Sequence, residues 1–329
     1  MKRRISMLMM VCLILSLSGC SREHGQEEYR LVYCSVEADG SPSDVAMQKF
    51  AEYVQERSDG RVSIQIINNG IMGSERELVE SLQLGIIQMC YPTASVLAMY
   101  DARFNLMELP FLFSDYDSVY DAYDNELGEI FSGWMQEENL LCMGYTCMGF
   151  RGLSNSRRPI HTPDDLKGIK LRCIESDMFM NLFSLLGCNP TPMNYNEVYT
   201  GLQQGTIDGQ DNPPNLTYNS RFYEAQKYYT LSNHVALCVP FIMSREYFDS
   251  LPDDIQQIIC DGMEAVVAEL RQTMMEDEEN AIQAMEDAGI EVTTLTEEEY
   301  RLFQEKVQPI YDEYREIVGS DVMDLALSY

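Results

Sequence analysis

The chain has 329 residues, of which 45% are hydrophobic and 23% charged, the composition of an ordinary globular protein with a large core. Its 53 acidic residues outnumber 23 lysines and arginines, so the formal net charge is -30. Such a surface repels nucleic acid and anionic membranes, and neither is an expected partner.

The N-terminus has the order of an export signal: a basic start, an apolar run from Ile5 to Leu17, and Cys20 after a glycine. The run is short for a membrane span. The LSGC sequence resembles a bacterial lipobox, which predicts a signal peptide over residues 1–19 and a lipidated Cys20; a plain apolar anchor is the alternative. Residues 20–29 are then a polar tether. The mature chain keeps 20 cations against 53 acids, a charge of -33.

Eight cysteines remain in the mature chain besides the lipidated Cys20, an even number that raises the question of disulfides. Most lie inside apolar runs such as MCYP, LLCMGYTCM and KLRC, where cysteine behaves as a small hydrophobic residue. There is no CxxC pair and the three histidines are scattered, so no metal site is expected. One incidental disulfide stays open as an alternative. The eight are Cys34, Cys90, Cys142, Cys147, Cys173, Cys188, Cys238 and Cys260.

The first third of the mature chain alternates strands and helices. Residues 31–36 and the alternating run 62–67 predict strands, and Ser41-Pro42 predicts a helix start between them. Ser74 and Glu77 have the spacing of a capping box, which opens a helix that ends at Gly85 before a strand over 86–90. This βαβαβ order favours a parallel sheet flanked by helices.

A second α/β unit follows. Residues 162–168 predict a helical turn, 169–173 a strand and 177–186 a helix. The last third begins with 254–288, which is nearly free of Gly and Pro and predicts one long helix, with a break at Gly262 as an alternative. Such a helix is long enough to bridge two lobes.

Two fragments, LQLGIIQM (82–89) and LQQGTIDG (202–209), match at four of eight positions. Each predicts a helix that ends at a left-handed glycine and leads into a strand, and chance similarity is the alternative. Ligands of open α/β sheets bind outside the carboxyl ends of strands. Residues 210–214 (QDNPP) are therefore predicted to be a proline-stiffened loop at a binding crevice.

Two arginines lie at or near the ends of predicted core strands. Arg172 lies in IKLRC, and Arg151 directly follows the apolar strand LLCMGYTCMGF. A guanidinium in such a place presents two parallel donors to a carboxylate. The alternative is that each arginine pairs with a surface acid.

From about Arg30 to Lys306 the chain resembles the extracytoplasmic solute-binding proteins of TRAP transporters, which are tripartite and ATP-independent. The resemblance is carried, in order, by GSERELVESLQLGIIQM, LPFLF, FRGLSNSRRPI, TPDDLKGIKLR, GCNPTPMNYNEVY, LQQGTIDGQDNPP and FYEAQKYYTLSNHV. It implies a two-lobe α/β fold of the periplasmic-binding-protein type, with a ligand cleft, crossing hinge strands and a long helix spanning both lobes. Lobe I would comprise residues 30–147 and 236–276, and lobe II residues 148–235 and 277–329.

The resemblance also implies site residues. Arg172 would form the main salt bridge to the carboxylate of the ligand, assisted by Arg151 and hydrogen-bonded by Asn212. Tyr195 would pack on the ligand, and Glu75 would accept hydrogen bonds from its hydroxyl groups. The alternatives are that Tyr195 is an aromatic residue of the core and that Glu75 is an acid at the start of a helix. Asp211 stands where the family usually has a glutamate. Thr93 stands where the sialic acid binders of the family have a glutamate, and the absence of that glutamate argues against sialic acid as the ligand.

The function implied is a lipid-anchored receptor that hands a small organic acid to a membrane permease, as a monomer and without cofactor or catalytic residue. A sugar acid such as a uronate, a C4-dicarboxylate, and an aromatic or keto acid all fit one arginine anchor. A sensor subunit of a signalling receptor is an alternative. An α/β hydrolase is a remote one, because the chain lacks G-x-S-x-G and HExxH and its histidines (His24, His161 and His234) are far apart.

Overall fold

A computed structural model describes residues 28–329 as two β-sheets covered by helices. The strands are β1 (Tyr29–Cys34), β2 (Val62–Ile67), β3 (Met89–Cys90), β4 (Leu140–Phe150), β5 (Gly152–Asn155), β6 (Lys170–Cys173), β7 (Asn189–Pro192), β8 (Gly209–Asn212), β9 (Tyr228–Leu231), β10 (Ala236–Ser244) and β11 (Glu291–Thr294). The helices are α1 (Pro42–Arg57), α2 (Glu75–Gln83), α3 (Ala94–Leu97), α4 (Tyr116–Asp124), α5 (Glu126–Glu137), α6 (Asp177–Leu185), α7 (Val198–Gln204), α8 (Pro214–Asn219), α9 (Arg245–Asp249), α10 (Asp253–Asp287), α11 (Glu297–Val318) and α12 (Ser320–Ala326). Short 3-10 segments are Ala102–Glu108, Pro163–Leu166, Tyr195–Glu197 and Phe222–Ala225.

The first sheet has the strand order β2-β1-β3-β10-β4. Strands β1, β2 and β3 are parallel, whereas β10 runs antiparallel to β3 and β4. The predicted helix starts are confirmed: the Ser41 hydroxyl accepts from the Asp44 backbone N–H at 3.3 Å, and Ser74 and Glu77 form a reciprocal capping box. This half contains the predicted βαβαβ unit.

The second sheet has the order β11-β9-β5-β8-β6-β7. Strand β6 is parallel to β7 and β8, and β5 is antiparallel to β8 and β9. The predicted strand over 169–173 and helix over 177–186 are confirmed as β6 and α6. The protein therefore has the predicted two α/β halves.

The two similar fragments end their helices as predicted. Gly85 and Gly205 have φ values of 71° and 69°, a conformation that costs other residues steric strain. The strand after Gly85 is shorter than predicted, since β3 contains only Met89 and Cys90. The strand after Gly205 begins at Gly209.

The interpretation of residues 210–214 as a loop is wrong. Residues 210–212 belong to β8, where they are buried and pair with β5, and Pro214 is the first residue of α8. Buried polar residues are tolerated here because they find partners: the Gln210 amide donates to the Ser154 hydroxyl at 2.8 Å and the Thr217 hydroxyl at 3.2 Å. The sequence looks like a loop because strands with buried amides and acids are uncommon.

Two chain segments cross between the sheets and are bonded to each other. Strand β4 of the first sheet leads through Arg151 into β5 of the second, and β9 returns through residues 232–235 to β10. The Arg151 N–H donates to the Val235 carbonyl at 2.8 Å, and the His234 N–H donates to the Arg151 carbonyl at 3.2 Å. Arg151 therefore lies at the junction of the two halves.

The long helix is continuous, so the alternative of a break at Gly262 is wrong. Helix α10 contacts α1 and β4 of the first half, and α8 and β11 of the second. Helix α11 contacts both the 3-10 segment Ala102–Glu108 and α6. Its Tyr311 hydroxyl donates to the Pro110 carbonyl at 2.7 Å. Helices thus bridge the two halves.

Glu278 on α10 touches the crossing strand. One carboxylate oxygen accepts from the Phe150 backbone N–H at 3.3 Å, and the other accepts from the Tyr116 hydroxyl. No cation pairs with it among the described residues. Burial raises the pKa of Glu278 to about 7, against the smaller lowering effect of the two hydrogen bonds.

The pKa of Glu278 predicts a pH-dependent stability. Between the ordinary glutamate pKa and about pH 7 the folded chain holds a proton that the unfolded chain has lost, so the free energy of unfolding falls as pH rises across this window and levels off above it. We expect Glu278→Gln to be more stable than the wild type at about pH 8 and to reduce this slope, by at most about 1.4 kcal/mol per pH unit. Urea unfolding at pH 6 and 8 measures the free energy of unfolding and its change with pH. The exposed change Glu286→Gln on the same helix is the control, and equal slopes in all three proteins would contradict the assignment.

Seven of the eight cysteines in the described part of the chain are buried or half-buried, and all eight are free thiols. Only Cys260 on α10 is exposed among them. The prediction that most of these cysteines pack as small hydrophobic residues is confirmed. Within residues 28–329, no cluster of three or more His, Cys, Asp or Glu side chains has an arrangement suited to a metal ion.

Candidate ligand-binding site

A cavity lies between the two halves and is lined by residues of both, a position where small-molecule sites are often found. The structure brings all five predicted site residues together on its wall. Their part in ligand binding stays a prediction. They are Glu75, Arg151, Arg172, Tyr195 and Asn212.

Arg172 is a buried cation without a protein counter-ion. It lies on β6 with 3% of its surface exposed, and its Nε donates to the Met193 carbonyl at 2.9 Å. Among the described residues it forms no ion pair, so the alternative of a surface acid does not apply to it. Burial lowers the pKa of Arg172, with Arg151 acting in the same direction and Asp211 opposing it. An anion in the cavity would relieve this desolvated charge.

Arg151 is held by an acid of the protein. Its Nε donates to Asp211 Oδ2 at 2.6 Å and its Nη2 to the Asp211 carbonyl at 2.7 Å, and the guanidinium lies 5.1 Å from the centre of the Phe179 ring. Burial alone would raise the pKa of Asp211, but Arg151 and then His234 reverse this, and the pKa is lowered. The partner of Arg151 is therefore a buried acid and not a surface one.

His234 extends this buried ion pair. Its Nε2 lies 3.5 Å from Asp211 Oδ2, and its Nδ1 is bonded to the Ser232 hydroxyl at 2.8 Å. Burial lowers the pKa of His234 despite the nearby Asp211 carboxylate. Arg151 and His234 therefore approach the same carboxylate oxygen, and Asp211 Oδ1 has no hydrogen-bond partner among the described residues.

Asn212 and Tyr195 are positioned by neighbours of the second half. Asn212 follows Asp211 on β8, its amide donates to Gln210 Oε1, and its carbonyl accepts from the Tyr229 hydroxyl at 2.7 Å. The Tyr195 ring packs edge-on against Phe222 at 5.6 Å, and its hydroxyl is bonded to Ser220. Both side chains are thus fixed by contacts within the protein.

Acidic residues come from the first half. Glu75 is the first residue of α2 and accepts from the Thr93 hydroxyl at 2.8 Å, and burial raises its pKa. Glu37 follows β1, is 9% exposed and lines the same cavity. Burial, and secondarily Glu75, raises the pKa of Glu37 to about 7.

Three of these residues were not found by sequence reasoning as members of the site. Glu37 is one acid among 53, and only its place directly after a strand could have singled it out. Asp211 is sixty positions from Arg151, and their contact depends on the pairing of β5 with β8. His234 meets Asp211 only where the two crossing segments come together.

Two α/β halves that line one cavity between them, with a buried arginine without an ion-pair partner among the described residues in its wall, define a two-lobe ligand-binding protein. Residues 33–317 match the family described as bacterial extracellular solute-binding protein, family 7. The chain belongs to this family, the solute-binding proteins of TRAP-type transporters, which bind substrates for transport and are not enzymes.

Known relatives support both the family and the fold. The 2,3-diketo-L-gulonate-binding periplasmic protein YiaO of Escherichia coli K12 is 31% identical over 250 residues, 76% of each chain. The sugar acid binding protein DctPAm of Advenella mimigardefordensis, solved with galactonate, has a TM-score of 0.88 at 31% identity and the match covers 91% of this chain and 96% of that one. A TRAP solute-binding protein of Sulfurospirillum deleyianum, solved with succinate, has a TM-score of 0.87 at 28% identity. The match covers 92% of this chain and 99% of that one.

The predicted family and two-lobe fold are confirmed, and the family is extracytoplasmic. Among residues 28–329, no helix combines the length and apolar character needed to cross a bilayer. Cys20 and the predicted signal peptide lie outside the described residues.

Proposed function

We propose that the protein is the receptor of a TRAP-type transporter for a small organic carboxylate, either a sugar acid such as a uronate or a C4-dicarboxylate. Arg172 forms the salt bridge to the ligand, while Arg151 and Asn212 complete the carboxylate site. Tyr195 packs on the ligand, and Glu75 accepts hydroxyl groups where the ligand carries them. The observation that carries the proposal is Arg172 itself, a buried cation on the cavity wall without an ion-pair partner among the described residues.

The relatives support a carboxylate ligand. Their names or bound molecules are 2,3-diketo-L-gulonate, galactonate and succinate, all of which carry a carboxylate. The net charge of -30 does not oppose anion binding, because exposed charges beyond a Debye length of about 8 Å are screened. Arg172 acts at contact distance, where screening by salt is weak.

The receptor would be lipidated at Cys20, held at the outer face of the cytoplasmic membrane by the tether 20–29, and would deliver its ligand to the permease as a monomer. The LSGC sequence and the extracytoplasmic family support this anchoring. Mass spectrometry of the membrane-extracted protein tests it, since a free amino terminus at residue 21 would exclude lipidation.

A thermal-shift screen of residues 21–329 tests the ligand class. The panel contains organic acids together with neutral sugars and alcohols of the same carbon skeleton. A ligand at a hundred times its dissociation constant stabilises the folded state by about 2.7 kcal/mol, a visible rise in Tm. Shifts by carboxylates and not by their neutral analogues support the proposal. Shifts by neutral or cationic compounds alone would exclude it.

Ligand binding should also close the two lobes. Lobe I comprises residues 30–147 and 236–276, and lobe II comprises residues 148–235 and 277–329. The cavity lies between them, so we expect approach of the two lobes to enclose a bound ligand. The Ser176 hydroxyl lies 3.4 Å from Asn105 Oδ1 of the other half, a contact that opening would break. We expect small-angle X-ray scattering to show a smaller radius of gyration with saturating ligand. Arg172→Ala at the same ligand concentration is the control, and an unchanged wild-type curve would contradict closure.

A further inference from the structure

The charges inside the cavity are divided between the two halves. The cations Arg151 and Arg172 come from the second half or its junction, and the acids Glu37 and Glu75 come from the first half. Arg151 is neutralised by Asp211. One cation is therefore left without a protein partner, and this matches one carboxylate of a ligand.

The first-half wall does not suit a second carboxylate. Glu37 and Glu75 form no ion pairs among the described residues, and above its raised pKa each carboxylate adds negative charge to the cavity. A dicarboxylate held by Arg172 would place its other end in the remaining space beside these two acids. Like charges repel strongly in a space that excludes water, and such repulsion is a common basis of specificity.

The same wall suits hydroxyl groups. The Glu37 side chain accepts no hydrogen bond from another described residue, although it is 9% exposed and lines the cavity. A carboxylate is an acceptor, and a hydroxyl is a neutral donor that satisfies it without adding charge. Glu75 already accepts from Thr93 through Oε2, which leaves its other oxygen for a second donor. Ser74 adds a neutral polar side chain to this wall, and Asn194 and Asn196 of the second half line the same cavity.

We infer that the ligand is a polyhydroxylated monocarboxylate, and that Glu37 selects it by accepting a ligand hydroxyl and repelling the second carboxylate of a C4-dicarboxylate. This inference rests on the proposed function and chooses between its two ligand classes. Glu37 is a specificity-determining residue, and Arg172 is the anchor common to both classes.

Calorimetry on residues 21–329 tests the inference, with a panel of six-carbon aldonates and uronates, succinate and malate as dicarboxylates, and amino acids as zwitterions. We choose about pH 8, above the pKa of Glu37, so that its carboxylate is charged. We expect the best hydroxylated monocarboxylate to bind at least about thirtyfold tighter than either dicarboxylate. In Glu37→Gln, that acid should bind several-fold more weakly and succinate about tenfold more tightly.

Two further variants keep the result interpretable. Glu75→Gln, which keeps the Glu37 side chain and removes the contribution of Glu75 to its raised pKa, should weaken binding of the hydroxylated acid. Glu56→Gln, an exposed change on α1, should alter neither affinity. Melting curves show that each variant is folded.

Each outcome is decisive. Tighter binding of a dicarboxylate or an amino acid than of every hydroxylated acid overturns the inference, as does an equal effect of Glu37→Gln on all ligands. In those cases carboxylate binding that depends on Arg172 would leave the proposed function intact. Absence of binding by any carboxylate would instead reject the proposed function itself.

Discussion

Arg172→Ala should abolish most ligand binding. The expected loss is about 2–5 kcal/mol, which is roughly thirtyfold to several thousandfold in Kd, because the ligand carboxylate would stay buried without its partner. Isothermal titration with the best carboxylate from the screen measures the change. The fold should survive, because Arg172 makes no ion pair within the described chain and burying a smaller neutral side chain removes a desolvated charge.

Arg172→Lys is the matched control for this prediction. It keeps the charge but loses the planar pair of donors, so its affinity should lie between those of the wild type and the alanine variant. A loss below about threefold in Arg172→Ala would show that Arg172 is not the anchor.

Asp211→Asn should give the largest loss of stability of any single change considered for this protein. It leaves the Arg151 guanidinium buried and without a counter-charge, a situation that typically costs about 3–5 kcal/mol. Urea unfolding of the variant and the wild type measures the change in the free energy of unfolding, provided that the two proteins have the same m-value. Ligand affinity should fall as well, because Arg151 would no longer be held in place on the cavity wall.

The control is an ion pair whose arginine is exposed. Arg157 pairs with Asp208 at 2.8 Å, and its side chain is 61% exposed. Arg157→Ala should therefore change the free energy of unfolding by no more than about 1 kcal/mol. Equal losses in the free energy of unfolding for Asp211→Asn and Arg157→Ala would show that burial does not make the Arg151–Asp211 pair more important for stability than an exposed pair.

Features that depend on a few neighbouring residues were predictable from the sequence. The cap at Ser41, the capping box at Ser74 and the left-handed Gly205 each follow from the chemistry of one turn, and all three are present. The position of Arg172 on β6 followed from the short strand IKLRC.

Features that depend on strand pairing were not predictable from local pattern. The buried polar strand β8 was misread because its amides are satisfied by Ser154 and Thr217, which the local sequence does not reveal. The Arg151–Asp211 pair requires the antiparallel register of β5 and β8. Glu37 joins the cavity only because β1 ends where the two halves face each other. Such contacts are properties of the assembled fold.

In an extracytoplasmic family, the burial of the cysteines places a requirement on the rate of folding. The fold shields most of its thiols, yet it does so only once it has formed, whereas an exported chain meets oxidants while still unfolded. Folding must therefore be faster than thiol oxidation, because a mismatched disulfide formed first would prevent the strands that carry Cys147 and Cys238 from pairing. A slow-folding variant would be lost as covalently trapped chains even if its native state were fully stable.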